Sequence, residues 1–500
     1  MAGIGFELKK VFKKKGLLAA LTAYGYAGIV CTGPMILGIV LLLGIRLLGS
    51  LSGAGREDIG LVNAMVTYGL LASLLLTDVF SLVTTRFISD MLYMEKKDKV
   101  LPSFWGSVSV QLVIGWALYG TFLCFAGITP GLVFLNIIFF SVMVVVWMEM
   151  NYLTAIKDYR GILVTFAISV GVALFIGWLL VAFTNFPAVP CLLGTAVIAY
   201  SIMAVLYFRL MLRYFPMGNA SSFGFLAWMD KYPGLCLVGL FTGIGVFGHL
   251  IIMWRSPLQH QVKGLFYEAP VYDIPALIAF LSILITTINF VTSVEVNFYP
   301  KYRTYFSLFN KSGSLSDIEQ AGEEMKRTLT EELANAFIKQ FFVTVIFIVL
   351  GSLALPYLPL GFTEDMLGIY RVLCLGYGFY AMGNCLMLIQ LYFSDNKGAL
   401  ISTAVFAIGS VAGTILAMPF GIRAYGVGFI AGSAGFTLVS LILLYRYLGT
   451  LMEHVLVNQP IVAAVHRGPM TRIAERREAA YRRKFPVWEG EVPDESESDA

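Results

Sequence analysis

The sequence predicts an all-α polytopic membrane protein of about twelve transmembrane helices, arranged as two six-helix bundles. Three observations predict it. Apolar residues make up 58% of the 500-residue chain and charged residues only 13%, where a soluble domain carries about 25% charged. Apolar runs of about 20 residues or more recur twelve times, each long enough to cross the hydrocarbon core as a helix. Basic residues then fall overwhelmingly into alternate loops, as the positive-inside rule requires.

In chain order the spans are expected near 17–48, 60–85, 101–126, 129–155, 161–184, 189–212, 233–254, 273–300, 336–356, 366–393, 399–420 and 424–447. Lipid offers no partner for a backbone N–H or C=O, so each span satisfies its own as a helix. The 49 glycines suit bundles that pack through small residues. Residues 1–16 read as a basic amphipathic segment at the inner interface. The first run is too long for a signal-peptide h-region and no A-x-A-like site follows it before Arg56, so no cleavage is expected.

With the N-terminus inside, 29 of the 35 Lys and Arg are cytoplasmic. Arg46, Arg56, Arg255, Lys263 and Arg423 stay outside, and Arg371 falls within a span. Both termini are then cytoplasmic. A polar linker, 213–232, divides the chain into bundle one, 17–212, and bundle two, 233–447. An even span number in each makes them parallel repeats about an axis along the membrane normal. Segment 301–335 reads as a cytoplasmic amphipathic helix, with a Ser316/Glu319 capping box. The tail, 448–500, is basic over 467–484, as suits a helix near anionic lipid, and acidic over 489–500.

Several chemistries are excluded. Gly243-Ile-Gly-Val-Phe-Gly248 spells GxGxxG but lies inside an apolar run without the strand–turn–helix context of a dinucleotide site. There is no Walker A sequence, His249, His260, His454 and His466 lack zinc-ligand spacing, and the six cysteines sit inside apolar runs without C-x-x-C. No catalytic residue, metal, cofactor or nucleic-acid partner is expected. Gly33 and Pro34 in the first span, and Gly243 and Gly245 in the seventh, soften their helices at comparable depth. They are either hinges facing a cavity or packing contacts.

Ionisable groups at membrane depth are costly and usually face a bundle interior or aqueous cavity. Asp78, Arg86, Glu149, Glu295, Arg371 and Asn384 are the candidates for a transport path or gate, with Arg86–Glu295 a possible pair across the bundles. Each could instead be a satisfied structural pair or a side chain reaching the interface.

The string Met1-Ala-Gly-Ile-Gly-Phe-Glu-Leu8 with basic residues after it, then Tyr24-Gly-Tyr-Ala-Gly28 and Gly33-Pro34, resembles the start of the Pel exopolysaccharide transporter family (PelG), over about 1–455. That family belongs to the MOP flippase superfamily, which includes MATE carriers. The resemblance implies two six-helix bundles around a central cavity in the bacterial inner membrane. It implies export of Pel polysaccharide, an N-acetylgalactosamine-rich biofilm polymer. It also implies inner-membrane PelD-like and PelE-like partners and a cytoplasmic PelF-like glycosyltransferase. An ion-gradient-driven flippase of lipid-linked oligosaccharide or small molecules, or a scaffold for a synthase, are the alternatives.

Overall fold

The structure, a computed structural model, describes residues 37–156, 159–184, 186–218, 220–310, 314–358, 361–456 and 468–485. Gly33, Pro34, the 1–16 segment and the acidic stretch 489–500 lie outside these. Eleven of the described helices are long and apolar enough to cross a membrane. In order the helices are α1 (Leu37–Leu51, the described end of the first run), α2 (Arg56–Tyr93), α3 (Lys97–Phe125), α4 (Pro130–Thr154), α5 (Gly161–Phe183) and α6 (Ala188–Leu212). A short helix α7 (Leu226–Lys231) precedes α8 (Pro233–Met253) and α9 (Pro270–Phe290). Then come α10 (Tyr299–Asn310), α11 (Leu315–Ala354), α12 (Glu364–Tyr392), α13 (Asn396–Ala417), α14 (Val427–Gly449) and α15 (Pro469–Lys484).

Local chemistry sets the ends. Glu57 and Asp58 sit in the first turn of α2, where the helix dipole favours negative charge. Pro233 opens α8, a position where its missing N–H has no partner to lose. Asp395 accepts the Gly398 N–H at 2.9 Å and so starts α13. At α11 the capping box differs from the expected one. Ser314 and Asp317 form it, which places Ser316 and Glu319 inside the helix. The expected surface helix and ninth span are therefore one continuous rod of 40 residues, about 60 Å long.

Three further departures from the sequence reading matter. The loop between α8 and α9 contains a small antiparallel hairpin, β1 (His260–Lys263) and β2 (Phe266–Glu268). Residues Val294–Phe298, where Glu295 lies, form a π-helical turn, a widening that often marks functional sites. Although all of them lie in apolar runs, Cys124 is exposed and Cys236 half-buried, whereas Cys191, Cys374 and Cys385 are buried.

Buried apolar side chains gather in three clusters. One joins α1 to α6 with Phe225, Leu226 and Phe266; a second joins α8, α9 and α12 to α14; a third lies around Phe298, Met325 and Ile389. Contact between the first two sets runs through α2 against α8. There a Cβ at Gly239 would overlap the Asp78 carbonyl oxygen, so only glycine admits this approach. Gly409 and Gly413 on α13 meet Gly432 and Gly428 on α14, with would-be Cβ atoms 2.7 and 2.8 Å from the facing Cα atoms. Both pairs have GxxxG spacing and serve close helix packing here.

Candidate functional site: a cavity and its closed end

A cavity of about 570 Å³ lies where α1, α2, α4, α5, α6, α8 and α9 face one another, within the size range of small-molecule sites. Leu70, Leu74, Met143, Trp147 and Tyr200 wall it on one side; Phe247, Leu250, Trp254 and Leu277 wall the other. Thr67, Tyr200 and the two indoles are its polar edges, and among the described residues no Asp, Glu, Lys, Arg or His lines it. Helical periodicity explains the α4 wall: Met143, Val146, Trp147 and Met150 recur at spacings of three and four and so share one face. Trp147 is held by its Nε1–H donating to Ser73 Oγ at 3.2 Å.

One end of the cavity is closed by aromatic rings and by the hairpin. Tyr68 of α2 stacks on the cavity residue Trp254, centroids 4.6 Å apart, and on Phe122 at 5.6 Å. Its hydroxyl donates to the Tyr267 carbonyl at 3.0 Å and accepts the Tyr267 N–H at 3.1 Å. Trp254 Nε1 donates to Asp273 Oδ2 at 3.0 Å, and the same oxygen accepts the Ala269 N–H at 2.9 Å. Arg255 lies over the Tyr267 ring at 4.4 Å. The hairpin also reaches the loop between α3 and α4. Leu265 N–H donates to the Ala126 carbonyl at 3.1 Å, and Gly264, at φ +55°, could carry no Cβ without overlapping that same oxygen. Glu268 lies 3.4 Å from His260 Nδ1. Burial pushes the Glu268 carboxyl above its usual range, and the neighbouring imidazole pulls it partly back.

The site residues expected from sequence are not brought together at this cavity, and none of Asp78, Arg86, Glu149, Arg371 and Asn384 lines it. Asp78 lies one turn beyond the wall residue Leu74. A Cβ at Gly243 would come 2.9 Å from its Oδ2, Tyr380 of α12 is within electrostatic reach, and no described residue hydrogen-bonds the carboxyl. Asn384 is half-buried one turn after Tyr380, and no described residue bonds it either. Glu149 is 1% exposed and does not line the cavity; Tyr207 is within electrostatic reach of it, and its Oε2 has no described partner.

Two cations have mundane partners. Arg86 pairs with Asp90 at 3.1 Å and lies over the Tyr232 ring at 5.4 Å; Asp90 also accepts Trp228 Nε1–H at 2.8 Å. The side chain of Glu295 is outside the described residues, so the Arg86–Glu295 pair has no support here. Arg371 is exposed and donates to Ser352 Oγ at 2.8 Å, clipping α12 to α11. Gly243 and Gly245 lie within an unbroken α8. Gly245 admits the Phe406 ring, so both glycines act here as contacts.

Sequence reasoning missed three features. Tyr68 gave no signal among 25 tyrosines. Glu332 receives Asn297 Nδ2–H at 2.7 Å and also Ser293 Oγ–H, beside the π turn. His249 is fully buried, with Nδ1 2.8 Å from the Tyr272 hydroxyl, and its ring centroid is 4.2 Å from that of Phe429.

Known proteins share this architecture. An outward-facing multidrug resistance MATE family transporter of the MOP superfamily aligns at TM-score 0.55 and 15% identity, over 85% of this chain and 96% of that one. A MOP superfamily transporter from Pyrococcus furiosus aligns at 0.54 and 15%, over 85% and 96%. The eukaryotic MATE transporter AtDTX14 aligns at 0.58 and 10%, over 92% and 99%. These likenesses show the fold. No curated protein sequence matches the chain. The family described as "PelG: Putative exopolysaccharide Exporter (EPS-E)" matches residues 1–456. A multi-pass membrane chain with this fold, matched over nearly its whole length, belongs to the PelG exopolysaccharide exporter family.

Proposed function

We propose that the chain carries Pel polysaccharide, an N-acetylgalactosamine-rich polymer, across the bacterial inner membrane, both termini cytoplasmic. A cytoplasmic PelF-like glycosyltransferase delivers the polymer, and PelD-like and PelE-like proteins hold the assembly. Residues 17–212 and 233–447 act as two six-helix units around the cavity. The observation that carries this reading is a cavity walled from both sets of helices and closed at one end by contacts crossing between them. Trp147, Phe166, Tyr200, Phe247 and Trp254 offer rings to sugar faces. The excess of Lys and Arg at the other end supports that end being cytoplasmic.

The test is reconstitution. Vesicles holding this chain and its synthase, supplied with nucleotide sugar, should accumulate polymer across the membrane. Trp147→Ala with Phe247→Ala should lower the rate by roughly tenfold, equivalent to ~1.4 kcal/mol. Polymer that crosses equally well without the chain would leave it a scaffold and sink the reading.

The nearly apolar lining favours a second reading, a flippase of lipid-linked oligosaccharide whose lipid occupies the cavity, driven by cations at Asp78, Glu149 or Glu295. In the same vesicles only this second reading has a polyprenyl-linked oligosaccharide change leaflets under an ion gradient.

A further inference from the structure

The C-terminal helix α15 lies beyond the matched family region, which ends at residue 456. It nevertheless has a built dock. Its first turn is capped from another segment: Asp230 Oδ2, on α7, accepts the Thr471 N–H at 2.6 Å and the Thr471 hydroxyl at 2.8 Å. A helix N-terminus presents unpaired N–H groups and positive potential, so a carboxylate there holds it doubly. Further along, Glu478 Oε2 accepts the Ser221 N–H at 3.2 Å. The Arg477 guanidinium lies over the Phe223 ring at 5.4 Å. Ala474 is buried in the same apolar cluster as Leu226. Every one of these contacts goes to the connection between α6 and α8.

The contacts also define the free face. At 3.6 residues per turn, Thr471, Ala474 and Glu478 share one side of the helix. Arg472, Arg476 and Arg483 fall within about 40° of one another on the opposite side, and all three are exposed. The acidic residues Glu475 and Glu478 lie off that strip, and Glu478 is already bonded to Ser221 and to Arg482 at 3.1 Å. Exposed Ile473 borders the strip. Three like charges on one helix face repel, and none of the three forms an ion pair with a described residue.

Position selects the partner. Only Tyr232 separates α7 from α8, which is long and apolar enough to cross the membrane. Packed helices lie about 8–10 Å apart, so α15 sits about one helix diameter from where α8 leaves the hydrocarbon. That is the headgroup layer. We propose that Arg472, Arg476 and Arg483 bind anionic phospholipid headgroups, and that α15 thereby pins the α6–α8 connection to the membrane surface.

The test is amide hydrogen exchange over 469–484 in the full chain, held in nanodiscs of phosphatidylcholine with and without phosphatidylglycerol. A basic residue at an anionic surface is worth about fivefold in binding, so three give on the order of 100-fold. Exchange should slow by at least ~10-fold in the anionic discs, high salt should reverse this, and R472Q/R476Q/R483Q should abolish it. Asp230→Asn separates the dock from the lipid: exchange should rise in both discs while the lipid difference persists. Equal exchange of the unaltered chain in both discs overturns the proposal. So does slowing that survives in the triple variant, or slowing produced only by a soluble acidic polypeptide.

Discussion

The Tyr68 hydroxyl bonds both the carbonyl and the N–H of Tyr267, at 3.0 and 3.1 Å. One side chain thus substitutes for a neighbouring strand. It satisfies a hairpin edge that comes from a loop 199 residues away. Tyr68→Phe keeps the ring stack on Trp254 and removes both bonds, leaving two backbone groups with only water as partner. An unsatisfied group of this kind costs about 1–3 kcal/mol. Exchange of the Tyr267 amide should quicken by roughly tenfold or more, with global melting little changed; unchanged exchange would show that the hairpin stands without Tyr68.

The same closure can be locked. A Cβ at residue 60 would lie 3.9 Å from Val262 Cγ1, so the two positions are neighbours, and a small shift brings their Cβ atoms to the roughly 3.5–4.5 Å separation of a disulfide. Gly60→Cys with Val262→Cys should bridge α2 to the hairpin under oxidising conditions. Secreted polymer should then fall at least ~10-fold and recover with reductant, while either single variant secretes normally. Full secretion from a demonstrably bridged protein would mean that the hairpin never needs to move.

Glu149 is buried with one carboxylate oxygen lacking a described partner. Such a group is expensive to keep at membrane depth, which argues for a use in transport. Glu149→Gln preserves volume. It should lower export by about tenfold or more while the melting temperature shifts by only a few degrees. Loss of folded protein in place of lost transport would assign Glu149 a structural role.

Gly239→Ala tests the junction of α2 and α8. The added methyl group meets the Asp78 carbonyl, a backbone atom that cannot rotate aside. Overpacking of this kind costs about 1–3 kcal/mol. Thermal unfolding in detergent should show a clear loss, larger than for Gly234→Ala, where the nearest atom is 4.0 Å away.

The spans were legible because run length and loop charge are properties of contiguous sequence. The closed end was not. Tyr68, Phe122, Trp254 and Tyr267 come from separate elements, and nothing along the chain says that they meet. Arg86 and Arg371 could be recognised as costly, but helical spacing reports a face and not the neighbour across it. Hence Asp90 and Ser352 were unforeseen as partners. The start of α11 shows a different limit. Ser314/Asp317 and Ser316/Glu319 have identical spacing, and only the extended backbone at Ser314 decides between them. The basic character of α15 was readable from composition, whereas its cap by Asp230 joins residues 241 apart.

The glycines facing each other between α13 and α14 have a consequence for how this chain can vary. At Gly409 against Gly432, and Gly413 against Gly428, both partners are already the smallest residue. Enlarging one side cannot be offset by trimming the other, so no compensating exchange exists. The seam therefore admits no larger side chain at any of these four positions unless the two helices draw apart along their whole shared face.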